Sequence, residues 1–178
     1  MAKRISRQLN ARLVRVKLFL CDVDGVLTDG MVVMGGEVES KRFNIRDGLG
    51  LKMLQGQGIK VGWVSRRPSG ATTQRAEDLK IDFLVQSQSS KVQGIENILQ
   101  KAGLDWPQVC YVGDDVVDLG VLKRAGVGVA VANGVSEAKA AADYVTKAGG
   151  GQGAVREAVE LVLKAQGCWK KIVAEYSA

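Results

Sequence analysis

Apolar residues along this chain gather in short runs separated by longer amphipathic stretches. Runs of strand length occupy residues 14–20 (VRVKLFL), 59–64 (IKVGWV), 81–85 (IDFLV), 109–112 (VCYV), 127–131 (VGVAV) and 143–146 (DYVT). Between most of them apolar positions recur with helical spacing, at residues 47–58, 69–80, 91–103 and 116–126. A final amphipathic stretch at residues 153–167 ends on Gly167, a helix stop signal. Alternating strand and helix signals imply βαβ units, hence a parallel sheet with helices on both faces. The runs are rich in Val and Ile on both sides, as strands covered on both faces must be. One segment breaks the rhythm. Residues 31–48 (MVVMGGEVESKRFNIRDG) read as two short β-prone runs around Gly35 and Gly36, a turn signal that places a β-hairpin just after the first strand. No repeat or Pro-rich linker is visible, and the only prolines are Pro68 and Pro107.

A length of 178 residues suits one domain large enough to bury a core without disulfides. The expected division is a basic segment over residues 1–13 and a single domain over residues 14–178. The net charge of +6 raises the question of nucleic acid. Its distribution argues against that partner. Lys3, Arg4, Arg7, Arg12, Arg15 and Lys17 form a basic run with no acid among them, and the remaining 19 basic residues equal the 19 acidic ones. Basic tails of this kind are usually solvated arms. No apolar run is long enough for a transmembrane helix, and the N-terminus lacks the apolar core of a secretory signal. The expectation is a cytoplasmic protein with neither membrane nor nucleic acid as partner. Cys21, Cys110 and Cys168 show no metal-ligand spacing, and Cys21 and Cys110 end apolar runs where buried thiols are the rule. There is no histidine, so any catalysis runs on carboxylates, lysine and hydroxyls.

Ligands of open parallel sheets bind beyond the carboxyl ends of the strands. The first strand delivers Asp22 and Asp24 there, in the stretch LFLCDVDGVLTDG. The second delivers Ser65, Arg66 and Arg67. The third leads through QSQSS to Lys91, and the fourth delivers Asp114, Asp115 and, one helical turn on, Asp118. Carboxylates cluster where a hard cation neutralises them, and Mg²⁺ takes oxygen ligands of this kind. Asp22 and Asp114 are the natural pair, with a backbone carbonyl near Asp24 as third protein ligand. A nucleophilic Asp with a second Asp as acid–base is the equipment of an aspartyl-phosphate intermediate. Ser65 and Lys91 would hold phosphoryl oxygens, where charge builds in the transition state.

DVDGVLTDG, the serine ending the second strand, Lys91 opening a helix, and GDDVVD together resemble, in order, the four motifs of the haloacid dehalogenase superfamily of phosphohydrolases. FNIRDGLGLKML, GDDVVDLGVL, ADYVT and GGGQGAVREAVELVLKAQG extend the likeness over nearly the whole chain from about residue 16. They are similar to the branch that hydrolyses 3-deoxy-D-manno-octulosonate 8-phosphate and sialic-acid-type 9-phosphates. That resemblance implies a three-layer Rossmann-like α/β fold with no separate cap domain. It implies a hairpin that helps build a homotetramer in which neighbouring subunits complete each site, and a phosphorylated sugar acid as substrate. Carried over, Asp22 is the nucleophile and Asp24 the general acid–base. Asp22, the Asp24 carbonyl and Asp114 bind Mg²⁺, Ser65 and Lys91 bind phosphate, and Asp115 and Asp118 support the metal or Lys91. Arg46, in the RDG segment, is a candidate for the substrate's carboxylate, which a bidentate guanidinium suits; Arg67 is a further substrate-binding candidate, the Arg66-Arg67 pair reading either as an anion clamp or as a solvated pair.

The chain departs from that pattern at two places. Relatives usually read Thr-Gly-Arg where this chain has Ser65-Arg66-Arg67, and Gly-Gln-Ser where it has Ser87-Gln88-Ser89. Both lie where substrate is held and neither touches the nucleophile. Asp29 reads as a turn residue leading into the hairpin, and the glycine run at residues 149–153 as a loop near the site. Two other classes of function use similar residues. A receiver-like phosphoacceptor has an Asp, a hydroxyl, a Lys and an acidic pair, in a different order. A non-catalytic relative would keep the fold as an oligomeric scaffold.

Overall fold

The computed structural model describes residues 6–33 and 39–177. Its centre is a six-stranded parallel sheet of β1 (Leu18–Cys21), β2 (Lys60–Ser65), β3 (Phe83–Gln86), β4 (Val109–Gly113), β5 (Val127–Ala130) and β6 (Tyr144–Val145). The spatial order is β3-β2-β1-β4-β5-β6. The order reverses at β1, whose neighbours are β2 on one side and β4 on the other. A crevice opens at such a reversal, beyond the carboxyl ends of the strands.

Strand β1 shows why the sheet needs two covers. All four of its residues are buried, and their side chains alternate between two cores. Phe19 and Cys21 join Leu51 and Leu54 of α2 (Ile45–Gly56) and Val155, Val159 and Val162 of α7 (Ala154–Ala165). Leu18 and Leu20 point to the other face, with Ile95 and Leu99 of α4 (Lys91–Ala102) and Val121 and Leu122 of α5 (Leu119–Leu122). Between these elements run α3 (Gly70–Asp78) and α6 (Ser136–Ala141), and Ala76 and Ala138 are their buried contributions to the first and second core. The predicted three-layer α/β architecture is the one observed. No second domain covers the crevice among the described residues, and no helix there is long and apolar enough to cross a membrane.

Three local expectations change. The first strand starts at Leu18 rather than at residue 14, because Val14 closes α1 (Arg7–Leu13). Ser6 caps that helix through its side chain, and Leu9 and Leu13 bury themselves in the core beside α7. Residues 7–13 are therefore no solvated arm: the arginines face outward while the leucines dock, and Arg12 pairs with Asp143 at 2.5 Å. The helix expected at residues 116–126 is a 3-10 turn over Val116–Asp118 followed by the single turn of α5. A further helix, α8 (Trp169–Glu175), follows α7 and buries Ile172. The turn of the expected hairpin lies outside the described residues; flanking it, Val33 and Ser40 form an antiparallel bridge.

Leu13 is fully buried in α1. Leu13→Ala is expected to lower the unfolding free energy by about 2–5 kcal/mol, measured by urea denaturation, whereas a solvated arm would leave it unchanged.

Candidate active site

The ladder between β1 and β4 runs one residue past the strand, with the Asp22 amide donating to the Val112 carbonyl at 2.9 Å. This fixes Asp22 at the reversal point. The chain then folds sharply: the amides of Leu27 and Thr28 both return to the Val23 carbonyl. Gly25 takes φ +88°, and a Cβ there would lie 2.1 Å from Asp114 Oδ2. Glycine is thus required twice at this position, for the left-handed turn and for the approach of the Asp114 carboxylate. Gly150 seats the glycine-rich loop on the same turn, since a Cβ would meet the Gly25 carbonyl oxygen at 1.8 Å. The Gly151 amide donates to the Val26 carbonyl, and Asn133 Oδ1 accepts from the Gly150 amide.

Lys91, the first residue of α4, is buried between two carboxylates. Its Nζ lies 2.6 Å from Asp22 Oδ2 and 2.7 Å from Asp118 Oδ1. The Tyr111 hydroxyl, from β4, also donates to Asp118 Oδ1. Asp118 Oδ2 accepts from the amides of Asp114 and Asp115, at 3.0 and 3.2 Å. Asp22 Oδ1 accepts from the Val23 amide at 2.6 Å. Burial lowers the proton affinity of Lys91, but Asp22 and Asp118 outweigh it and hold the ammonium above the usual lysine range.

The acids are less well compensated. One oxygen each of Asp22, Asp114 and Asp118 lie within 4.8 Å of one another. With Lys91 as the ammonium among them, two negative charges remain unmatched when all are ionised. Burial pushes Asp22 up to about 6, with Lys91 opposing and Asp118 adding to the rise. Burial, then Asp22 and Asp118, push Asp114 up to about 7. Asp114 Oδ1 is buried without a hydrogen-bond partner. An orphaned carboxylate oxygen beside unmatched charge fits a hard divalent cation. Asp118 is a poor ligand for it, because both its oxygens are already engaged.

A crevice of about 420 Å³ joins these groups to Asp24, Ser65, Arg66, Arg67, Gln88 and Asp115. Ser65 is buried, and its Oγ accepts from the Arg67 amide at 3.0 Å. Arg67 binds Glu39 at 2.9 Å, and Arg66 reaches the Gln88 carbonyl at 3.1 Å. Asp115 caps the 3-10 turn by accepting from the Val116 amide. Of the candidate site residues, Arg46 stays apart: it is exposed in the first turn of α2 and does not line the crevice. Asp29 accepts from the Met31 amide and closes a turn.

Several residues at the site were not singled out in the sequence. Lys41 is buried against Asp24 at 2.7 Å, yet reads as one more charge in a β-prone run. Tyr111 carried a weak signal, since a tyrosine inside a fully buried strand needs a partner for its hydroxyl. In the RDG segment the buried side chain is that of Asp47, which accepts from the Arg156 amide at 2.7 Å and ties α2 to the start of α7. Burial raises it to about 6 against the pull of the Arg156 amide and guanidinium.

The raised carboxyls have a consequence for stability. Without a divalent cation, the folded chain retains protons that the unfolded chain has released between about pH 4 and pH 7, so stability falls as pH rises through that window. No histidine titrates there to mask the effect. Melting in EDTA should therefore be lower at about pH 8 than at about pH 5, and Mg²⁺ should raise the melting temperature at the higher pH.

This arrangement has close counterparts. Residues 81–157 match the model of the haloacid dehalogenase-like hydrolases. The 3-deoxy-D-manno-octulosonate 8-phosphate phosphatase of Escherichia coli is 39% identical over 92% of this chain and 87% of its own length. The phosphatase of the same name from Moraxella catarrhalis, crystallised with magnesium, phosphate and KDO, superposes with a TM-score of 0.92. It is 37% identical, with 95% of this chain and 98% of that one covered. The cobalt-bound enzyme of Haemophilus influenzae gives a TM-score of 0.85 at 38% identity, covering 88% and 92% of the two chains. Likeness at this level over nearly the full length, around a site of carboxylates and a buried lysine, settles the kinship: the chain belongs to the 3-deoxy-D-manno-octulosonate 8-phosphate phosphatase family of haloacid dehalogenase-like hydrolases.

Proposed function

We propose that this protein is a Mg²⁺-dependent phosphomonoesterase that acts on 3-deoxy-D-manno-octulosonate 8-phosphate or a related nonulosonate 9-phosphate. The observation that carries the reading is the Asp22–Lys91–Asp118 set beside the unpartnered Asp114 oxygen, at the reversal point of the sheet. Asp22 and Asp114, with the Asp24 carbonyl, would hold the cation, which supplies positive charge against the phosphoryl oxygens and the acids. A scaffold would gain nothing from so much buried, imperfectly matched charge.

Asp22 is the nucleophile. Lys91 and the Val23 amide hold its two oxygens, so its attack on phosphorus is oriented before substrate arrives. Ser65 and Lys91 receive the phosphoryl oxygens. Asp118 acts through Lys91, fixing the ammonium while its other oxygen holds the backbone that carries Asp114. Asp24 gives a proton to the leaving alcohol, then takes one from the water that cleaves the aspartyl phosphate. Arg67, at the mouth of the crevice, is placed to meet a carboxylate of the substrate. Asp115 supports the 3-10 turn behind Asp114.

Met31, Val32 and Val33 are exposed apolar residues leading into the insert, and Ile45 and Leu49 are exposed beyond it. Exposed apolar clusters of this kind mark protein contacts. A homotetramer built through the insert would cover them and would let Arg46 serve a neighbouring subunit's crevice. The working compartment is the cytoplasm, where the buried thiols of Cys21 and Cys110 stay reduced.

Phosphate release is to be measured over a panel of octulosonate, nonulosonate and plain sugar phosphates, with and without Mg²⁺. Selective release from the sugar-acid esters, only with Mg²⁺, is the expected result; preference for plain sugar phosphates would refute the substrate class. Asp22→Asn should reduce turnover by at least about 10³-fold with the fold intact by circular dichroism, and an active variant would refute the nucleophile. Sedimentation should give a tetramer mass, against which a monomer would count.

A further inference from the structure

The crevice borders a segment for which the mechanism above has no task. Residues 39–41 are the return of the chain from the insert, bridged to its outgoing side through Val33 and Ser40. The Lys41 side chain is only 3% exposed, and its Nζ lies 2.7 Å from Asp24 Oδ1 and 3.5 Å from Glu39 Oε1. Glu39 is itself held in place, since its Oε1 accepts from Arg67 at 2.9 Å and from the Ser69 hydroxyl at 3.2 Å. Burying an ammonium is unfavourable unless carboxylates compensate it, and here two do.

The contact matters more to Asp24 than to Lys41. Among the described residues, Asp24 has no other hydrogen-bond partner, and its Oδ2 is buried and unpartnered. Rotation about the last bond of an aspartate is soft. A general acid has to keep its carboxyl within hydrogen-bond reach of the oxygen it protonates. Among the described residues, Lys41 is the side chain that holds it.

We propose that Lys41 is a positioning residue for Asp24, so that the inserted segment sets up the acid–base step. The inference rests on the assignment of Asp24 made above and deepens it. When the ester P–O bond breaks, the proton of the Asp24 carboxyl passes to the leaving oxygen, and the carboxylate left behind is the form that an ammonium holds most strongly. In the second half-reaction that carboxylate takes a proton from the attacking water. Lys41 keeps its own proton throughout.

A salt bridge that merely anchors the insert would affect all substrates alike. A positioner of the acid affects esters in proportion to their need for a proton on the leaving group. The test compares first-turnover alcohol release from a sugar-acid phosphate, a poor leaving group, with that from p-nitrophenyl phosphate, whose anion leaves unaided. Lys41→Met should slow the first by about 10²-fold or more, and the second by no more than about threefold. Lys41→Arg, which keeps the charge and the donor, should recover part of the loss on the sugar-acid ester. Equal losses on both esters would overturn the proposal. Where the Met variant does not melt cooperatively, Lys41→Gln is measured in the same way. Wild-type protein inactive on both esters with Mg²⁺ would refute the phosphatase reading itself, and the proposal with it.

Discussion

Lys91 lies between Asp22 and Asp118, and the rest of the site is arranged around that contact. An ammonium withdrawn from water at the start of a helix needs negative partners within a few ångströms, and two carboxylates meet it, one from the end of β1 and one from the 3-10 turn after β4. Each partner then carries a second obligation. Asp22 is locked to the Val23 amide at the point where β1 ends. Asp118 spends its remaining capacity on Tyr111 and on the amides of Asp114 and Asp115. One cation thereby couples β1, β4, α4 and the 3-10 turn. The residues proposed as nucleophile, phosphate ligand and metal ligand take their places from a single electrostatic centre.

The fold makes that centre possible by removing water from both sides of β1. Phe19 and Cys21 dock on α2 and α7, Leu18 and Leu20 on α4 and α5, and the polar sequence begins only at the strand's end. The two glycines described at the turn let backbone and carboxylate approach more closely than any side chain would permit. Charge is therefore concentrated in a narrow zone between a dry sheet and an open crevice, and both Asp22 and Asp114 are raised by burial there.

The sheet and the main groups of the site were legible in the sequence because each left a local mark. The β-rich runs are apolar on both sides, and Asp22, Ser65, Lys91 and Asp114 each stand just after one or open the next helix. What was hidden depends on partners far away in the chain. The first leucines pass for part of a basic tail until α7 provides the surface that buries Leu9 and Leu13. Lys41 looks like any solvated lysine until the insert folds back onto Asp24. In RDG the arginine attracts notice, but the aspartate is the buried strut, because its acceptor role depends on an amide 109 residues away. Arg46 shows the reverse: its residue type suits a carboxylate, yet a single chain leaves it in solvent, away from the crevice.

The absence of a covering domain over the crevice, among the described residues, bears on the timing of the reaction. Phosphatases that close a cap must open and shut it around chemistry, and such motions often limit turnover. Here the floor of the site is tied by buried ion pairs and hydrogen bonds, and among the described residues no domain stands between its crevice and solvent. Discrimination between substrates would then fall to the rim, where Arg66 and Arg67 stand clear of the Lys91 centre beneath.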